Sequence, residues 1–167
     1  VLKRVYLSLG SNRGEREQLL EQALARLAAA GLRLRQVSAV YETEPLERRD
    51  QPWFLNLVVE ADTDLFPRLL LGRLQRIERQ MGRRPTSVKG PRLIDIDLLL
   101  YGEAVIRTPE LVVPHPRMHL RRFVLEPLAE LAPELRHPLT GQTVRELLRG
   151  TRSQRVRKLT FRPALPA

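Results

Sequence analysis

The chain is predicted to adopt an α+β fold: an antiparallel sheet with helices packed on one face and long loops at its edge. Three observations carry this. Apolar residues alternate with the two-residue period of strands in Arg4–Leu9, 32–43, 53–61 and 94–101. They recur with helical spacing over 15–30 and again over 62–81. The resulting order, strand–helix–strand–strand–helix–strand, is the split β-α-β, ferredoxin-like signature.

Each element has its own signal. In the first strand Val5, Leu7 and Leu9 alternate with Tyr6 and Ser8. Gly10-Ser11-Asn12-Arg13-Gly14 breaks it, and Ser11 or Asn12 caps a helix over 15–30 whose apolar stripe is Leu20, Leu24 and Leu27. Gly31 closes that helix. Leu32, Leu34, Val37 and Val40 mark a second strand to about Thr43, followed by a polar stretch, 44–52, too long and charged for a tight hairpin. Trp53–Ala61 is a third strand, interrupted by Asn56, an amide that either satisfies the core or reads a ligand.

Asp62-Thr63-Asp64 is expected to cap a second helix, with Pro67 in its first turn and Leu70, Leu74, Ile77 and Met81 as its buried stripe. Gln75, Glu78 and Arg79 fall on its flanks, and Gly82 ends it. A basic loop, 83–89, leads into the fourth strand, where Ile94, Ile96, Leu98 and Leu100 face one side and Asp95, Asp97 and Leu99 the other. We expect this strand to be central, beside the first. A short edge strand over 103–106, a helical patch over 126–131 and a final helix over 143–148 complete a core of about 3–150. A basic tail, 151–167, is expected to pack loosely, and the 167 residues form one domain.

Composition narrows the function. No apolar run approaches the ~20 residues of a membrane span, and without cysteine there is neither a disulfide framework nor thiolate chemistry. A cytoplasmic enzyme or binding module is the expectation. The net charge is +10, and the only lysines are Lys3, Lys89 and Lys158, so arginine supplies nearly all of it. Arginine's planar fork suits phosphate oxygens, which points to a nucleotide or nucleic acid, although an arginine-biased, solvated surface gives the same charge. A sheet that binds RNA needs aromatics on its central strands, and the chain has few: one Trp, three Tyr and four Phe. We therefore expect no nucleic-acid or membrane partner.

Asp95 and Asp97 are the sharpest chemical signal. Two residues apart on one strand face, their Cα atoms lie roughly 6–7 Å apart, a spacing that lets the carboxylates share one divalent ion or grip two. A half-exposed, solvated strand face is the plain alternative, and a metal-dependent nuclease or another phosphotransferase uses the same pair. His115, fixed between Pro114 and Pro116, serves as metal ligand, phosphate donor or surface residue.

Taken together, Gly10-Ser11-Asn12, Thr43-Glu44-Pro45-Leu46, Asp50-Gln51-Pro52, Phe54-Leu55-Asn56, Gln75-Arg76-Ile77-Glu78, Gly90-Pro91-Arg92-x-x-Asp95-Ile96-Asp97-Leu98-Leu99, Val113-Pro114-His115 and Arg121-Arg122-Phe123 resemble the 6-hydroxymethyl-7,8-dihydropterin pyrophosphokinase family. The resemblance implies transfer of the ATP β,γ-pyrophosphoryl unit to the pterin hydroxymethyl group, with release of AMP, by a monomer. It implies two Mg2+ ions on Asp95 and Asp97, with ATP as co-substrate. It places Gln75, Glu78, Arg92, Leu98, His115 and Arg121 on the nucleotide side, and Thr43, Pro45, Leu46, Phe54, Asn56 and Phe123 on the pterin side. Arg92, Arg121 and Arg83 or Arg84 would offset charge as AMP departs. Lys89, Glu110, Val112 and Pro116 depart from common family residues.

Overall fold

A computed structural model describes residues 1–44, 53–82 and 93–166. The sheet is built from β1 (Lys3–Ser11), β2 (Leu32–Val37), β3 (Tyr41–Thr43), β4 (Phe54–Thr63), β5 (Asp95–Tyr101) and β8 (Val156–Lys158). Its order is β5-β1-β4-β3-β8, with β2 also paired to β4, and every pairing is antiparallel. Helices α1 (Arg16–Ala29) and α2 (Pro67–Gln80) share one face, as the split β-α-β order predicts. Between them and the sheet lies the larger core, which includes Val5, Leu7, Leu9, Leu20, Leu24, Leu70 and Ile77. The later helices α3 (Arg122–Leu131) and α4 (Val144–Leu148) cover the opposite face over Tyr6, Val58, Leu99 and Leu100. A separate ribbon pairs β6 (Ile106–Arg107) with β7 (Val112–Val113). No helix among the described residues is long and apolar enough to cross a membrane.

The Asp-bearing strand is not central, as the sequence suggested; the middle of the sheet belongs to β1 and β4, and β5 lies at its rim. In this topology the last strand of the split motif joins the free edge of the first. Two of its outer backbone groups are nevertheless occupied. The Glu78 carboxylate accepts the Ile96 N–H at 2.8 Å, and the Leu99 carbonyl accepts the His115 N–H at 2.9 Å. The alternation along β5 also breaks once. Leu7 pairs with Leu98 and Tyr6 with Leu100, so Leu99 is the extra residue of a bulge and Leu100 joins the α3 side instead of following Leu98.

Other departures have local causes. The expected second strand is two strands because side chains interrupt the ladder between them: the Ser38 N–H still donates to the Val58 carbonyl, but the Val58 N–H donates to Ser38 Oγ at 3.0 Å and the Ala39 N–H to the Glu130 carboxylate. Asp62 and Thr63 do not cap α2. They extend β4, and Phe66 precedes Pro67 at the helix start without a side-chain cap. Nor do Ser11 or Asn12 cap α1, since Ser11 belongs to β1 and Glu15 stands at the cap position. The tail is not loose. β8 extends the sheet beyond β3, Leu159 and Phe161 exchange backbone hydrogen bonds with Val40, and Leu159, Phe161 and Leu165 pack on the larger core.

Asp62 is nearly buried, and its carboxylate accepts from Arg4 Nε at 2.7 Å and Arg35 Nε at 2.8 Å. The hydrogen bond from Arg4, then that from Arg35, holds its pKa below the usual carboxylate value. A depressed folded-state pKa stabilises above the unfolded value, about 3.9, and that stability is lost as pH falls through the folded value. Asp62→Asn is therefore expected to be less stable than the parent at pH 7, with the gap closing below about pH 4 in urea melts. A gap independent of pH would contradict this reading.

Candidate active site

A cleft of about 620 Å³ opens around the rim of β5. From one side α2 contributes Leu71, Leu74, Gln75, Glu78 and Arg79, and from the other come Asp95, Asp97, His115 and Arg121. Five residues assigned to metal or nucleotide from sequence (Gln75, Asp95, Asp97, His115 and Arg121) thus meet in one place. Glu78 meets them too, although it is buried and its carboxylate holds the Ile96 amide, midway between the two acids. Arg79 was missed. Its position four residues after Gln75 puts both on one stripe of α2, and that spacing was the available signal. Leu98 does not line the cleft; its side chain lies in the larger core opposite Leu7. Pro45, Leu46, Arg83, Arg84, Lys89 and Arg92 lie outside the described residues.

Register explains the aim of the acids. Asp97 pairs with Ser8 and Asp95 with Gly10, so both carboxylates stand on the α3 side of the sheet, each beside a small residue. Gly10 pairs in turn with Asn56 on β4. Directly paired residues point to the same face, so Asp95, Gly10 and Asn56 form one row, its ends about 10 Å apart across three strands. A Cβ on Gly10 would lie 2.9 Å from Asn56 Oδ1, closer than side chains approach. Glycine is needed there so that Asn56 can sit over the row.

Asn56 is buried and donates from Nδ2 to Thr43 Oγ1 at 2.8 Å, leaving Oδ1 above Gly10 as an acceptor. Thr43 pairs with Phe54, and Phe123 opens α3 on this same face. The Arg121 guanidinium carbon lies 5.4 Å from the Phe123 ring centroid, within cation–π range. Thr43, Phe54 and Asn56 therefore stand beyond Gly10 from the acids, and none of the four described pterin-side residues lines the cleft. Glu110, Val112 and Pro116 are exposed and do not line it.

His115 is mostly buried. Burial first, then the Arg121 charge, pushes its pKa down to about 4, against a smaller opposing pull from Asp95. It is neutral at pH 7. Its Nδ1 accepts the Arg117 N–H at 3.2 Å, so the proton sits on Nε2, 4.0 Å from Asp97 Oδ2. In that tautomer Nε2 presents an N–H to the cleft and has no lone pair for a metal. The carboxylates of Asp95 and Asp97 are hard oxygen donors. Among the described residues no group of three or more His, Asp or Glu side chains forms a metal cage. One or two carboxylates, completed by water and substrate phosphate, are the donor set Mg2+ uses with nucleotides, so these residues fit that ion.

Fold and cleft define a class: an α+β sandwich whose sheet rim gathers acids, a neutral imidazole and a guanidinium around one cleft. Within that class, residues 6–133 match the family model for 7,8-dihydro-6-hydroxymethylpterin-pyrophosphokinase. The chain is 46% identical over 81% of its length to a Bacillus subtilis 2-amino-4-hydroxy-6-hydroxymethyldihydropteridine pyrophosphokinase, covering 82% of that protein. It is also 46% identical over 89% of its length to the Pseudomonas aeruginosa protein of that name, covering 91%. The chain belongs to the 7,8-dihydro-6-hydroxymethylpterin-pyrophosphokinase family. It spans about a fifth of the longer relatives it matches, such as the Schizosaccharomyces pombe folic acid synthesis protein (44% identity over 93% of this chain, 21% of that protein). Its fold matches a crystal structure of Plasmodium falciparum HPPK-DHPS with a TM-score of 0.73 at 17% identity, covering 89% of this chain and 42% of that one.

The Arg121 charge is part of what lowers the His115 pKa, so Arg121→Gln is expected to raise it. In metal-free buffer, NMR titration should find the parent ring neutral down to about pH 5 and the variant protonating at higher pH. An unchanged pKa would separate the two side chains electrostatically.

Proposed function

We propose that the protein transfers the β,γ-pyrophosphoryl group of ATP to the hydroxymethyl oxygen of 6-hydroxymethyl-7,8-dihydropterin, giving the pterin diphosphate and AMP, as a Mg2+-dependent step of folate synthesis. The observation that carries this is the row Asp95–Gly10–Asn56, which sets an ion-binding acid and a ring-reading amide on one face of the sheet. The new bond joins the pterin oxygen to the β-phosphorus, the bond from that phosphorus to the α-phosphate oxygen breaks to release AMP, and the hydroxyl proton passes to water.

Each described residue has a role consistent with its geometry. Asp95 and Asp97 hold the ions; two Mg2+ bound there would neutralise triphosphate charge and orient its oxygens. The His115 Nε2–H donates to a phosphate oxygen, and since Nδ1 already accepts the Arg117 N–H the ring is placed as a donor, not as a general base. Arg121, stacked on Phe123, meets charge on the phosphates; Gln75 and Arg79 approach the nucleotide from α2. Asn56 Oδ1 accepts from the pterin's amide edge while Thr43 fixes the amide's orientation. Phe54 and Phe123 flank the bicycle. Pro45 and Leu46 complete the pterin side, Leu98 contributes to the nucleotide side through backbone, and Arg92 with Arg83 or Arg84 supplies further positive charge.

Incubation with Mg2+, ATP and the hydroxymethyl pterin should yield AMP only when the pterin is present; ADP, or AMP without pterin, would overturn the proposal. Asp97→Asn is expected to fold normally by circular dichroism and to lose roughly 10²–10³-fold in turnover; near-parental turnover would remove that acid from its role. Gly10→Ala displaces Asn56 and should raise KM for the pterin about tenfold, the loss of one hydrogen bond, with a smaller effect on KM for ATP. Equal effects on both substrates would argue against the assignment of Asn56.

A further inference from the structure

A second and larger cleft, about 1240 Å³, shares no lining residue with the first and lies between the turn after β1, the start of α3 and the segment leading into β8. Six arginines line it (Arg13, Arg16, Arg122, Arg152, Arg155 and Arg157), and Glu42 is the one acid among its described lining residues. Three of the six have structural duties. Arg16 donates to the Trp53 carbonyl at 2.7 Å and lies 3.8 Å from Glu42, which Arg157 also contacts. Arg122 binds Glu126 and the Gln154 carbonyl, both at 2.9 Å. Arg13, Arg152 and Arg155 are exposed and have no carboxylate within ion-pair distance among the described residues.

Like charges gathered in one concavity oppose folding, and a lining with five more positive than negative side chains also draws anions into the cleft. The cleft is open to solvent, and guanidinium forks set on several elements around it match linked phosphates better than one carboxylate. Trp53 stands half-exposed on the lining, available to stack against a planar group. None of these arginines has a part in the proposed reaction, although Glu42, Trp53 and Arg122 are chain neighbours of Thr43, Phe54 and Phe123.

We infer that this cleft is a second ligand site, separate from the nucleotide cleft, that binds a small molecule carrying two or more linked phosphates. Arg13, Arg152 and Arg155 clasp the phosphates, while Arg16, Arg122 and Arg157 form the walls. The strand β8 builds the site by bringing the tail's arginines against the turn after β1.

The chain's single tryptophan is Trp53, so its emission reports on this cleft. The nucleotide cleft is first saturated with Mg2+ and a non-hydrolysable ATP analogue, and inorganic triphosphate is then titrated at constant ionic strength. The expected result is a saturable change in Trp53 emission, with one triphosphate bound per chain by calorimetry. Arg152→Ala with Arg155→Ala should weaken this at least tenfold while turnover at saturating substrates stays within about twofold of the parent. Arg13→Ala, on a different element, should weaken it as well and guards against misfolding of the tail variant. Absence of saturation, unchanged affinity in both variants, or tighter binding of single-stranded RNA than of triphosphate would overturn the inference.

Discussion

One buried carboxylate carries the geometry of the cleft at the rim of β5. β5 lies at the rim of the sheet, where outward-facing amides would otherwise rely on water or on another strand. Glu78 reaches from α2 to take the Ile96 N–H, and the His115 amide caps the Leu99 carbonyl three residues on. A hydrogen bond to a charged acceptor contributes about 1.5–3 kcal/mol, enough to fix the strand's edge where the acids emerge. Because the rim is closed by side chain and turn rather than by another strand, Asp95 and Asp97 keep access to solvent on one side and to a packed sheet beneath. Acids in the middle of the sheet would have been confined to one narrow face.

From that rim the chemistry spreads across the sheet. β1 lies between β5 and β4, and its Ser8 and Gly10 offer so little bulk that the acids and Asn56 share one face without obstruction. α3 approaches the same face, bringing Arg121 and Phe123, while α2 approaches around the rim with Gln75 and Arg79. The electrostatics follow from this crowding. His115 is dried by its surroundings and repelled by Arg121, and it responds by staying neutral and offering Nε2–H.

Much of this was readable from residue pattern. Periodicity gave the order of the first four strand regions and two helices, and Asp95 and Asp97 fell on one face because two-residue alternation admits no other result. The errors have physical causes. The strand's place at the rim depends on which neighbour completes the sheet, a long-range choice that alternation does not record. The bulge at Leu99 turned Leu100 over, and the break at Ser38–Val40 needed partners in Val58, Glu130 and Phe161, far away in sequence. The tail looked loose because its strand has only three residues; it is held by pairing with β3, and Arg162 lies 2.6 Å from Glu130. The role of Glu78 in holding a backbone amide was hidden for the same reason: a carboxylate on a helix flank looks the same whether it meets solvent, a ligand or a neighbouring strand.

The most direct test of the account is where divalent ions settle when nucleotide is present. Crystals grown with Mn2+ and a non-hydrolysable ATP analogue should give anomalous peaks roughly 2.0–2.3 Å from carboxylate oxygens of both Asp95 and Asp97, with the β- and γ-phosphates on the same ions. Peaks at other side chains, or nucleotide bound with neither acid as a ligand, would contradict it.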